Sequence, residues 1–475
     1  MPELLRPDIC VIGAGSGGLS VAAAAAAFGV PVVVVEKGAM GGECLNTGCV
    51  PSKALLAAAG HAAAARTAAR FGIGDGAPTI DFAKVRAHVR AVIAAIAPND
   101  SIARFTGLGV KVIAGTARFA GPDTVAVGGR FIVKARRFVI ATGSRPAVPA
   151  IPGLADVPFL TNETIFDLDE CPRHLAVIGA GPVGLELAQA FRRLGAAVTV
   201  IEQAAPLAKD DPECAAVVLA ALAREGVDLR FGQAVTSVSA TADSIRLTIG
   251  DGEGAASILA SHVLVAAGRR AQFADLDLER AGVRHGPEGI VVDRGLRTSN
   301  RRVYAIGDVI GGARFTHAAN HQAGLVIRNA LFRLPVRYDP DAVPWATYTD
   351  PELAQAGLTE AEARRRGHRI KVLRWPYHDN DRAQAEGETS GHIKVITTRH
   401  GRILGATIVG ARAGELIALW GLAVSRRLPI RAVAGLVFAY PTLGEIGRRA
   451  AISSFLPGLT HPLVRRIITW MRRLG

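Results

Sequence analysis

The chain has 475 residues, a length that suffices for about three domains with separate hydrophobic cores. Hydrophobic residues make up 49% and charged residues 20%, a composition that excludes an intrinsically disordered protein. The formal net charge of +14 raises the question of nucleic-acid binding, but the arginines are dispersed rather than gathered with stacking aromatics, so we expect no nucleic acid as a partner.

An uncharged stretch from Ile9 to Val35 is long enough to be mistaken for a membrane span. Glycines and Pro31 interrupt it, and the pattern predicts a strand, a turn and a helix instead. The chain begins without a recognisable secretory leader and contains only five cysteines. We therefore expect a cytoplasmic protein, in which a disulfide would be catalytic rather than structural.

The segment DICVIGAGSGGLSVAAAAAAFGVPVVVVEKG, from Asp8, predicts a strand, a glycine turn, an alanine-rich helix and a second strand. Gly13 permits the tight turn, Gly15 lets the backbone approach a pyrophosphate, and Gly18 lets helix and strand pack closely. Glu36 ends the second strand about twenty residues further on, where its carboxylate can bind ribose hydroxyls. The complete unit predicts a dinucleotide-binding fold.

The next segment, GGECLNTGCVPSKAL, contains Cys44 and Cys49. Their spacing is not that of a zinc knuckle, and we expect no fixed metal anywhere in the chain, because no cluster of His, Cys and carboxylate residues suggests one. We expect a helix that starts around Leu45, with the two thiols one turn apart. The other cysteines are expected to be inert, one in a buried strand and two beside prolines in loops: Cys10, Cys171 and Cys214.

The same order of strand, glycine turn, helix and strand is predicted a second time, in HLAVIGAGPVGLELAQAFRRLGAAVTVIEQ. Gly179, Gly181 and Gly184 take the three glycine roles, and Glu202 closes the second strand. Two dinucleotides are therefore implied. One flavin and one nicotinamide that exchange hydride are the simplest pair.

Two strand-ending phrases lie between and after the glycine turns. RRFVIATGSRP ends a strand at Ala141, Thr142 and Gly143, which suits a crossing between two nucleotide domains. RRVYAIGDVIGG ends another at Gly307 and Asp308, and this places a carboxylate at the carboxyl edge of a sheet, where ligands collect. Each phrase alone also fits an ordinary strand-to-turn transition, but their order favours ligand binding.

The chain resembles the class I flavin-dependent pyridine nucleotide–disulfide oxidoreductases, the family of dihydrolipoamide dehydrogenase, glutathione reductase and mercuric reductase. The resemblance runs essentially end to end, and the cysteine segment is its most specific part. The segments that carry it are VIGAGSGG, GGECLNTGCVPSKAL, VIATGSRP, VIGAGPVGLELA, AAGRR, YAIGDV, YTDPELAQAGLTE and YPTLGE. It implies an α/β fold with two Rossmann-like domains, for FAD and NAD(P)H, and a C-terminal α+β dimerisation domain.

The resemblance also implies the domain borders. Residues 1–149 and 271–340 would bind FAD, residues 150–270 would bind NAD(P)H, and residues 341–475 would form the interface of a homodimer. A homodimer is expected because, in this family, the motif around Tyr440 completes the active site of the other subunit.

Several residue roles follow from the same resemblance. Cys44 and Cys49 would form a redox-active disulfide in the resting enzyme, with Cys49 touching the flavin and Cys44 exchanging with substrate. Lys53 would approach the flavin ring and pair with Glu186. The cofactor-binding residues would be Lys53 with Gly13, Gly15, Gly18, Glu36, Ala141, Thr142, Gly143, Gly179, Gly181, Gly184, Glu202, Gly268, Asp308 and His317.

Glu202 also predicts which nicotinamide is used. A carboxylate at this strand end favours a free 2′-hydroxyl and repels a 2′-phosphate, and no arginine follows it in QAAPLAK. We expect NADH in preference to NADPH.

The electron acceptor stays open, because the chain departs from the family at the substrate motif. AYPTLGE carries Tyr440 where the disulfide reductases have histidine, and it keeps Glu445. A tyrosine of ordinary pKa, near 10, is a poor base at neutral pH. Tyrosine here resembles the mercuric reductases, but those also use a C-terminal cysteine pair, and no cysteine follows Cys214. Lipoamide, Hg(II) and a quinone or other small acceptor remain open, as does a membrane-docked electron relay with little free turnover.

The C-terminal segment HPLVRRIITWMRRLG predicts an amphipathic helix from Pro462. Its apolar residues lie on one face and its four arginines largely elsewhere. Two alternatives are open: the apolar face packs against its own interface domain, or the helix makes weak peripheral contact with an anionic membrane.

Overall fold

The computed structural model describes residues 1–74, 78–250, 255–456 and 462–474. The chain forms two compact units, one of Met1–Ala204 with Val227–Pro340 and one of Ala205–Gly226 with Asp341–Gly475. In the described part of the chain, no helix is both long and apolar enough to cross a membrane.

The first unit is built on a five-stranded parallel sheet. Its central strand, Ile9–Ile12, is fully buried, which explains its apolar sequence, since parallel strands are covered on both faces. The helix Ser16–Ala27 leads from this strand to its neighbour on one side, and Arg137–Ile140 lies on the other side. The strand order reverses here, which opens a ligand crevice at the carboxyl ends. In spatial order the strands are Val303–Ala305, Arg137–Ile140, Ile9–Ile12, Val32–Glu36 and Lys111–Ala114.

A second parallel sheet repeats this arrangement within the same unit. The helix Pro182–Arg193 connects the strand His174–Ile178 of this sheet to the strand Ala197–Glu202. Proline suits the first position of a helix, because a backbone N–H there would have no partner within the helix and proline has none. In spatial order the strands are Asp228–Phe231, Ala197–Glu202, His174–Ile178 and His262–Val265. The expected α/β fold with two Rossmann-like units is confirmed.

Smaller elements complete the first unit. One sheet contains Glu3–Leu5, Phe131–Val133, Thr124–Val127 and Ala117–Gly121, and another contains Val235–Ala240, Ile245–Ile249 and Ala256–Ala260. Two-stranded pairs join Ser144–Pro146 with Arg269–Ala271 and His285–Gly286 with Gly289–Ile290. Its further α-helices are Gly42–Asn46, Cys49–Thr67, Phe82–Ile96, Ile102–Gly107 and Thr316–Phe332.

The second unit is α+β, with a five-stranded antiparallel sheet covered by helices. The buried Trp420 lies in its core, on the helix Ala413–Ser425. In spatial order the strands are Trp345–Thr347, Glu352–Gly357, Ile403–Gly410, His392–Thr398 and Ile370–Pro376. The α-helices described in it are Pro212–Arg224, Glu360–Arg365, Asp381–Glu386, Ala413–Ser425, Ile430–Ala434, Glu445–Ser453 and Pro462–Met471.

The helix Pro212–Arg224 lies within the predicted nicotinamide segment but belongs to the second compact unit. Asp211 caps it by accepting a hydrogen bond from the Glu213 backbone N–H at 3.1 Å. The same carboxylate accepts a 2.8 Å hydrogen bond from Lys394 in the antiparallel sheet. Cys214 is buried in this helix, so its expected place in a loop is wrong: the neighbouring proline marks the helix start.

The predicted C-terminal helix is present at Pro462–Met471. None of its residues is buried, so the described residues do not show its apolar face packed against its own domain. Its exposed apolar side chains include Leu463, Ile467, Ile468, Trp470 and Met471.

Candidate active site and dinucleotide sites

The first glycine turn contains two close backbone contacts that leave no room for a side chain. Gly13 has φ +104°, and a Cβ there would collide with the carbonyl oxygen of Ala141. A Cβ at Gly18 would collide with the carbonyl oxygen of Gly13. The turn, the strand end at Ala141 and the following helix can therefore lie this close only with glycine at both positions.

Glu36 is held at the edge of this turn by two backbone N–H groups. Ala14 donates to one carboxylate oxygen at 2.5 Å and Gly38 donates to the other at 2.7 Å. Each oxygen keeps a lone pair, so the carboxylate can still accept from ribose hydroxyls.

The second turn reproduces this geometry. Gly179 has φ +113°, and a Cβ at Gly184 would collide with the carbonyl oxygen of Gly179. Glu202 accepts from the backbone N–H groups of Ala180 at 3.0 Å and Ala204 at 2.8 Å. The two turns thus share both their backbone closure and the anchoring of their terminal carboxylate.

Both turns have room for a dinucleotide. Gly15 and Gly181 have no atom within 4 Å of the place where a Cβ would stand. Each is the cap residue of a helix, where free N–H groups and the positive end of the helix dipole attract phosphate. Space and charge therefore fit a pyrophosphate at each turn.

Cys44 and Cys49 lie on two different helices. Cys44 belongs to the five-residue helix Gly42–Asn46, and Cys49 begins the helix Cys49–Thr67. Gly48, between them, has φ −125° and ψ −114°, which is not helical. The expected single helix is therefore wrong, because the backbone turns at Gly48 before the second helix starts.

The two thiols are free in this structure, and the ionisation of each depends on the other. Interaction with Cys44 contributes most to lowering the pKa of Cys49 to about 6; the Thr316 hydroxyl, 3.6 Å from the Cys49 sulfur, and the charge of Lys53 act in the same direction, against burial. The same interaction, with burial, raises the pKa of Cys44. These opposite shifts favour a thiolate on Cys49 and a proton on Cys44.

Lys53 and Glu186 form an ion pair across the first unit. The Lys53 ammonium donates to a carboxylate oxygen of Glu186 at 2.7 Å. Glu186 is buried, and Lys53 lies one turn after Cys49 on the same helix. The structure thus brings together the lysine and the glutamate that the resemblance pairs, one helical turn from Cys49.

A second polar network adjoins the cysteine turn, and the sequence reasoning missed it. Arg269 forms an ion pair with Glu43, the residue before Cys44, and donates to the Ser144 hydroxyl at 2.7 Å. The Asp308 carboxylate accepts a 2.5 Å hydrogen bond from the same hydroxyl. Both charged partners stand in segments that the resemblance singles out, yet they are 226 residues apart, so no local pattern could have paired them.

The other predicted cofactor residues surround the strand ends. The Thr142 hydroxyl donates to the Gln272 carbonyl at 2.5 Å. Gly143 and Gly268 have φ of +72° and +125° with open space at their Cβ positions. The His317 ring stacks on Phe315 with the ring centroids 5.3 Å apart, at the start of the helix Thr316–Phe332.

Tyr440 and Glu445 lie in the second unit. The Tyr440 hydroxyl donates to Asp381 at 2.8 Å, and this bond, together with the negative charges of Asp381 and Glu445, raises the pKa of Tyr440. The side chain is 70% exposed. Tyr440 is thus a protonated, accessible hydrogen-bond donor at neutral pH.

The remaining cysteines are poor nucleophiles. Burial raises the pKa of Cys10 to about 12, and it also raises the pKa values of Cys171 and Cys214. Within the described ranges, no group of three or more His, Cys, Asp and Glu side chains could hold a metal ion.

Comparison with known families settles the assignment. The model of the family described as "Pyridine nucleotide-disulphide oxidoreductase" matches residues 7–323, and the model of its dimerisation domain matches residues 343–451. The chain belongs to this family. It is therefore an FAD-dependent pyridine nucleotide–disulfide oxidoreductase that uses NAD(P)H and carries the family's dimerisation domain.

Relatives of this oxidoreductase extend over nearly all of its length. It is 36% identical to a mercuric reductase of Streptomyces lividans over 453 residues, which cover 94% of this chain and 95% of the relative. It is 33% identical to a dihydrolipoyl dehydrogenase of Geobacillus stearothermophilus over 454 residues, 94% and 96% of the two chains. The structure of LpdA from Mycobacterium tuberculosis superposes with a TM-score of 0.86 at 27% identity, over 95% of this chain and 99% of that one.

Proposed function

We propose that the protein uses NADH to reduce a small disulfide substrate through the Cys44–Cys49 pair. The observation that carries the proposal is the pair of free thiols on two adjoining helices, with the Thr316 hydroxyl 3.6 Å from the Cys49 sulfur and the pKa of Cys49 lowered to about 6. A thiolate and a neighbouring thiol are what thiol–disulfide exchange requires. FAD, when bound, would supply the electron pair from NADH to the disulfide form.

The exchange can be written with the two cysteine side chains, one proton from water and the electron pair of NADH. Cys44 gives its proton to the Cys49 thiolate as the Cys44 sulfur bonds to one substrate sulfur, and the substrate S–S bond breaks. The first substrate thiolate leaves and takes a proton from water. Cys49 then attacks the Cys44 sulfur, gives its proton to the second departing sulfur, and the Cys44–Cys49 disulfide forms. The electron pair from NADH restores the dithiol.

The Lys53–Glu186 pair would stabilise the thiolate stage. The positive charge of Lys53 lowers the pKa of Cys49, and the buried Glu186 fixes the position of that charge. The Glu186 carboxylate itself raises the pKa of Cys49, so the stabilisation comes from Lys53, and Glu186 contributes by holding the ammonium in place before charge develops on the sulfur.

We infer that Tyr440 and Glu445 of one protomer complete the active site of the other in the homodimer. The dimerisation domain and the family resemblance support this arrangement. A protonated Tyr440 suits the donation of a proton to a departing thiolate, and it suits poorly the removal of one from dihydrolipoamide. We therefore propose that turnover favours disulfide reduction.

The domain borders given by the resemblance are proposed as functional borders. Residues 1–149 and 271–340 would bind FAD at the first glycine turn, and residues 150–270 would bind NADH at the second. Residues 341–475 would supply the dimer interface. The matching closure of the two turns supports one dinucleotide at each.

NADH is the proposed nicotinamide cofactor because of Glu202. Two backbone N–H groups hold its carboxylate at the strand end, and it would repel a 2′-phosphate there. The carboxylate can accept from the free 2′-hydroxyl of NADH instead.

Reduction of Hg(II) is the second candidate. The similarity to mercuric reductases, together with Tyr440 at the substrate motif, supports it. The two thiols could bind a soft metal cation as substrate. The absence of a cysteine after Cys214 leaves delivery of the ion to these thiols unexplained.

One experiment separates these candidates. The FAD-loaded protein, reduced with NADH under anaerobic conditions, is offered lipoamide, glutathione disulfide, Hg(II) and a quinone in parallel. The proposal expects fastest reoxidation by a disulfide, and loss of that activity in Cys44→Ser. Fast quinone reduction that survives Cys44→Ser would overturn it and favour an electron relay.

We also propose a cytoplasmic location with weak, reversible contact between the C-terminal helix and an anionic membrane surface. Exposed apolar side chains, including Trp470, and four arginines support it. Attraction to anionic lipid is worth about 1 kcal/mol per arginine. Sedimentation with anionic vesicles, at low and high salt, should be lost when residues 461–475 are removed. Equal binding by the full-length and truncated proteins would exclude the helix.

A further inference from the structure

The turn that carries Cys44 cannot hold its shape alone. Cys44 lies in the helix Gly42–Asn46, which spans little more than one turn. A helix this short is unstable in isolation, because nucleation fixes several backbone angles for few hydrogen bonds. Contacts with the surrounding chain must therefore determine where the Cys44 sulfur lies.

Two amide side chains fasten the ends of this turn. The Asn46 amide donates to the carbonyl oxygens of Met40 at 3.0 Å and Gly42 at 2.7 Å. Asn162, which is distant in sequence, donates to the Glu43 carboxylate at 2.8 Å and to the Thr47 carbonyl at 3.2 Å. Asn162 therefore bridges the residue before Cys44 and the residue after the helix.

Arg269 is the stronger anchor. Its guanidinium forms an ion pair with the second Glu43 carboxylate oxygen and donates to the Ser144 hydroxyl at 2.7 Å and the Ser144 carbonyl at 3.1 Å. It also lies 3.6 Å from Asp308, and the Arg314 side chain donates to its backbone carbonyl at 2.6 Å. A planar guanidinium held at several points fixes the direction of its ion pair better than a lysine would.

The environment makes Glu43 costly to leave unpaired. Burial raises the pKa of Glu43, while the charge and hydrogen bond of Arg269 act in the opposite direction. The side chains are 30% and 20% exposed for Glu43 and Arg269 respectively. The ion pair of Glu43 joins the Cys44 turn to the strands that carry Ser144 and Arg269.

We propose that Glu43 is a positioning residue. Through Arg269 and Asn162 it holds the Cys44 turn where the Cys44 sulfur can reach Cys49, and it thereby sets the dithiol–disulfide equilibrium of the pair. The inference rests on the proposed redox role of Cys44 and Cys49. An intramolecular disulfide forms in proportion to the effective concentration of one thiol at the other. If the Cys44 turn loosens, that concentration falls and the dithiol gains at the expense of the disulfide.

The test measures this equilibrium directly. FAD-loaded wild type and variants are equilibrated in buffers of reduced and oxidised dithiothreitol, and the alkylated state of Cys44 and Cys49 is quantified by mass spectrometry. Glu43→Ala should lower the equilibrium constant for disulfide formation about tenfold, which is about 30 mV for a two-electron couple. Glu43→Gln should have a smaller effect, because it can still accept from Asn162.

A double-mutant cycle shows whether Glu43 acts through Arg269. Arg269→Met should also shift the constant, and Glu43→Ala with Arg269→Met should shift it less than the sum of the two single effects. The matched control is Asp8→Asn, which removes a carboxylate that pairs with Arg136 at 2.6 Å in the same unit and should leave the constant unchanged.

The outcomes separate this inference from the proposed function. If the wild-type pair never forms a disulfide in these buffers, the proposed function fails. If the wild type titrates but Glu43→Ala and Arg269→Met give the wild-type constant, the positioning role of Glu43 is overturned. A fall in thermal stability of Glu43→Ala without a shift in the constant also overturns it, because it assigns Glu43 a purely structural role.

Discussion

Lys53 and Glu186 are 133 residues apart in the chain, yet the lysine ammonium lies 2.7 Å from the glutamate carboxylate, one helical turn from Cys49. This contact joins the two segments that the glycine turns predict to bind separate nucleotides. It places a fixed positive charge beside the thiolate on which the proposed chemistry depends.

The pH dependence of Cys49 tests this arrangement. The pKa of about 6 predicts that alkylation of Cys49 in the reduced protein rises with pH and reaches half its maximum near pH 6. Lys53→Met removes one cause of the lowered pKa, so the alkylation rate near pH 6 should fall roughly threefold. Iodoacetamide labelling followed by peptide mapping measures it, with Lys84→Met, an exposed lysine of the same unit, as the control. An unchanged profile in Lys53→Met would contradict the assigned role.

The substrate motif gives a second prediction. Because its bond to Asp381 raises the pKa of Tyr440, native oxidation of dihydrolipoamide should be slow at pH 7. Tyr440→His should raise kcat at least tenfold, since a positioned base contributes about 100-fold or more. Tyr440→Phe is the matched control and should leave this direction of turnover unchanged. Fast native turnover with dihydrolipoamide at pH 7 would show that Tyr440 does not limit the reaction.

The carboxylates at the two glycine turns give a matched pair of variants that tests which nicotinamide cofactor the protein prefers. Glu202→Gln should reduce the preference for NADH over NADPH, measured as the ratio of kcat/KM values, by about tenfold, because a charge that repels the 2′-phosphate is lost. Glu36→Gln, at the equivalent place in the first turn, should weaken FAD binding and leave that ratio unchanged. A ratio that responds equally to both changes would mean that the turns do not divide the nucleotides as proposed.

A buried ion cluster in the second unit predicts a stability effect. Lys394 is 5% exposed and lies 2.8 Å from Asp211, 3.0 Å from Glu213 and 2.9 Å from Glu360. Lys394→Met leaves buried carboxylate charge without its partner, so the free energy of unfolding should fall by about 3 to 5 kcal/mol. Arg364→Met, which removes an exposed partner of Glu360, should cost under about 1 kcal/mol. Urea unfolding of both variants measures the difference, and equal losses would contradict the assigned burial.

Much of the fold follows from sequence patterns because the strongest signals are local. The glycine turns need positive φ and close backbone contact, so only glycine fits, and the motif could be recognised within thirty residues. The helix Pro462–Met471 follows from its periodicity. The break before Cys49 was missed because it depends on the backbone conformation of Gly48, which the amino-acid letters do not reveal.

Ion pairs between residues distant in the chain were the other feature that the sequence alone could not predict. Lys53 and Glu186 were paired through family resemblance, whereas Glu43 and Arg269 had no such guide. An ion pair between distant segments depends on the sheet that brings them together, and local propensity carries no information about it. Cys214 shows the same limit, because a proline beside it fits either a loop or the first turn of a helix.

The most direct test of the central claim is the long-wavelength absorbance of the protein after anaerobic reduction with NADH. A thiolate on Cys49 next to the flavin should give a charge-transfer band in the wild type and in Cys44→Ser. Cys49→Ser should lose the band while still binding FAD. A band of unchanged intensity in Cys49→Ser would contradict the assignment of that thiolate, and with it the proposed path of electrons through the pair.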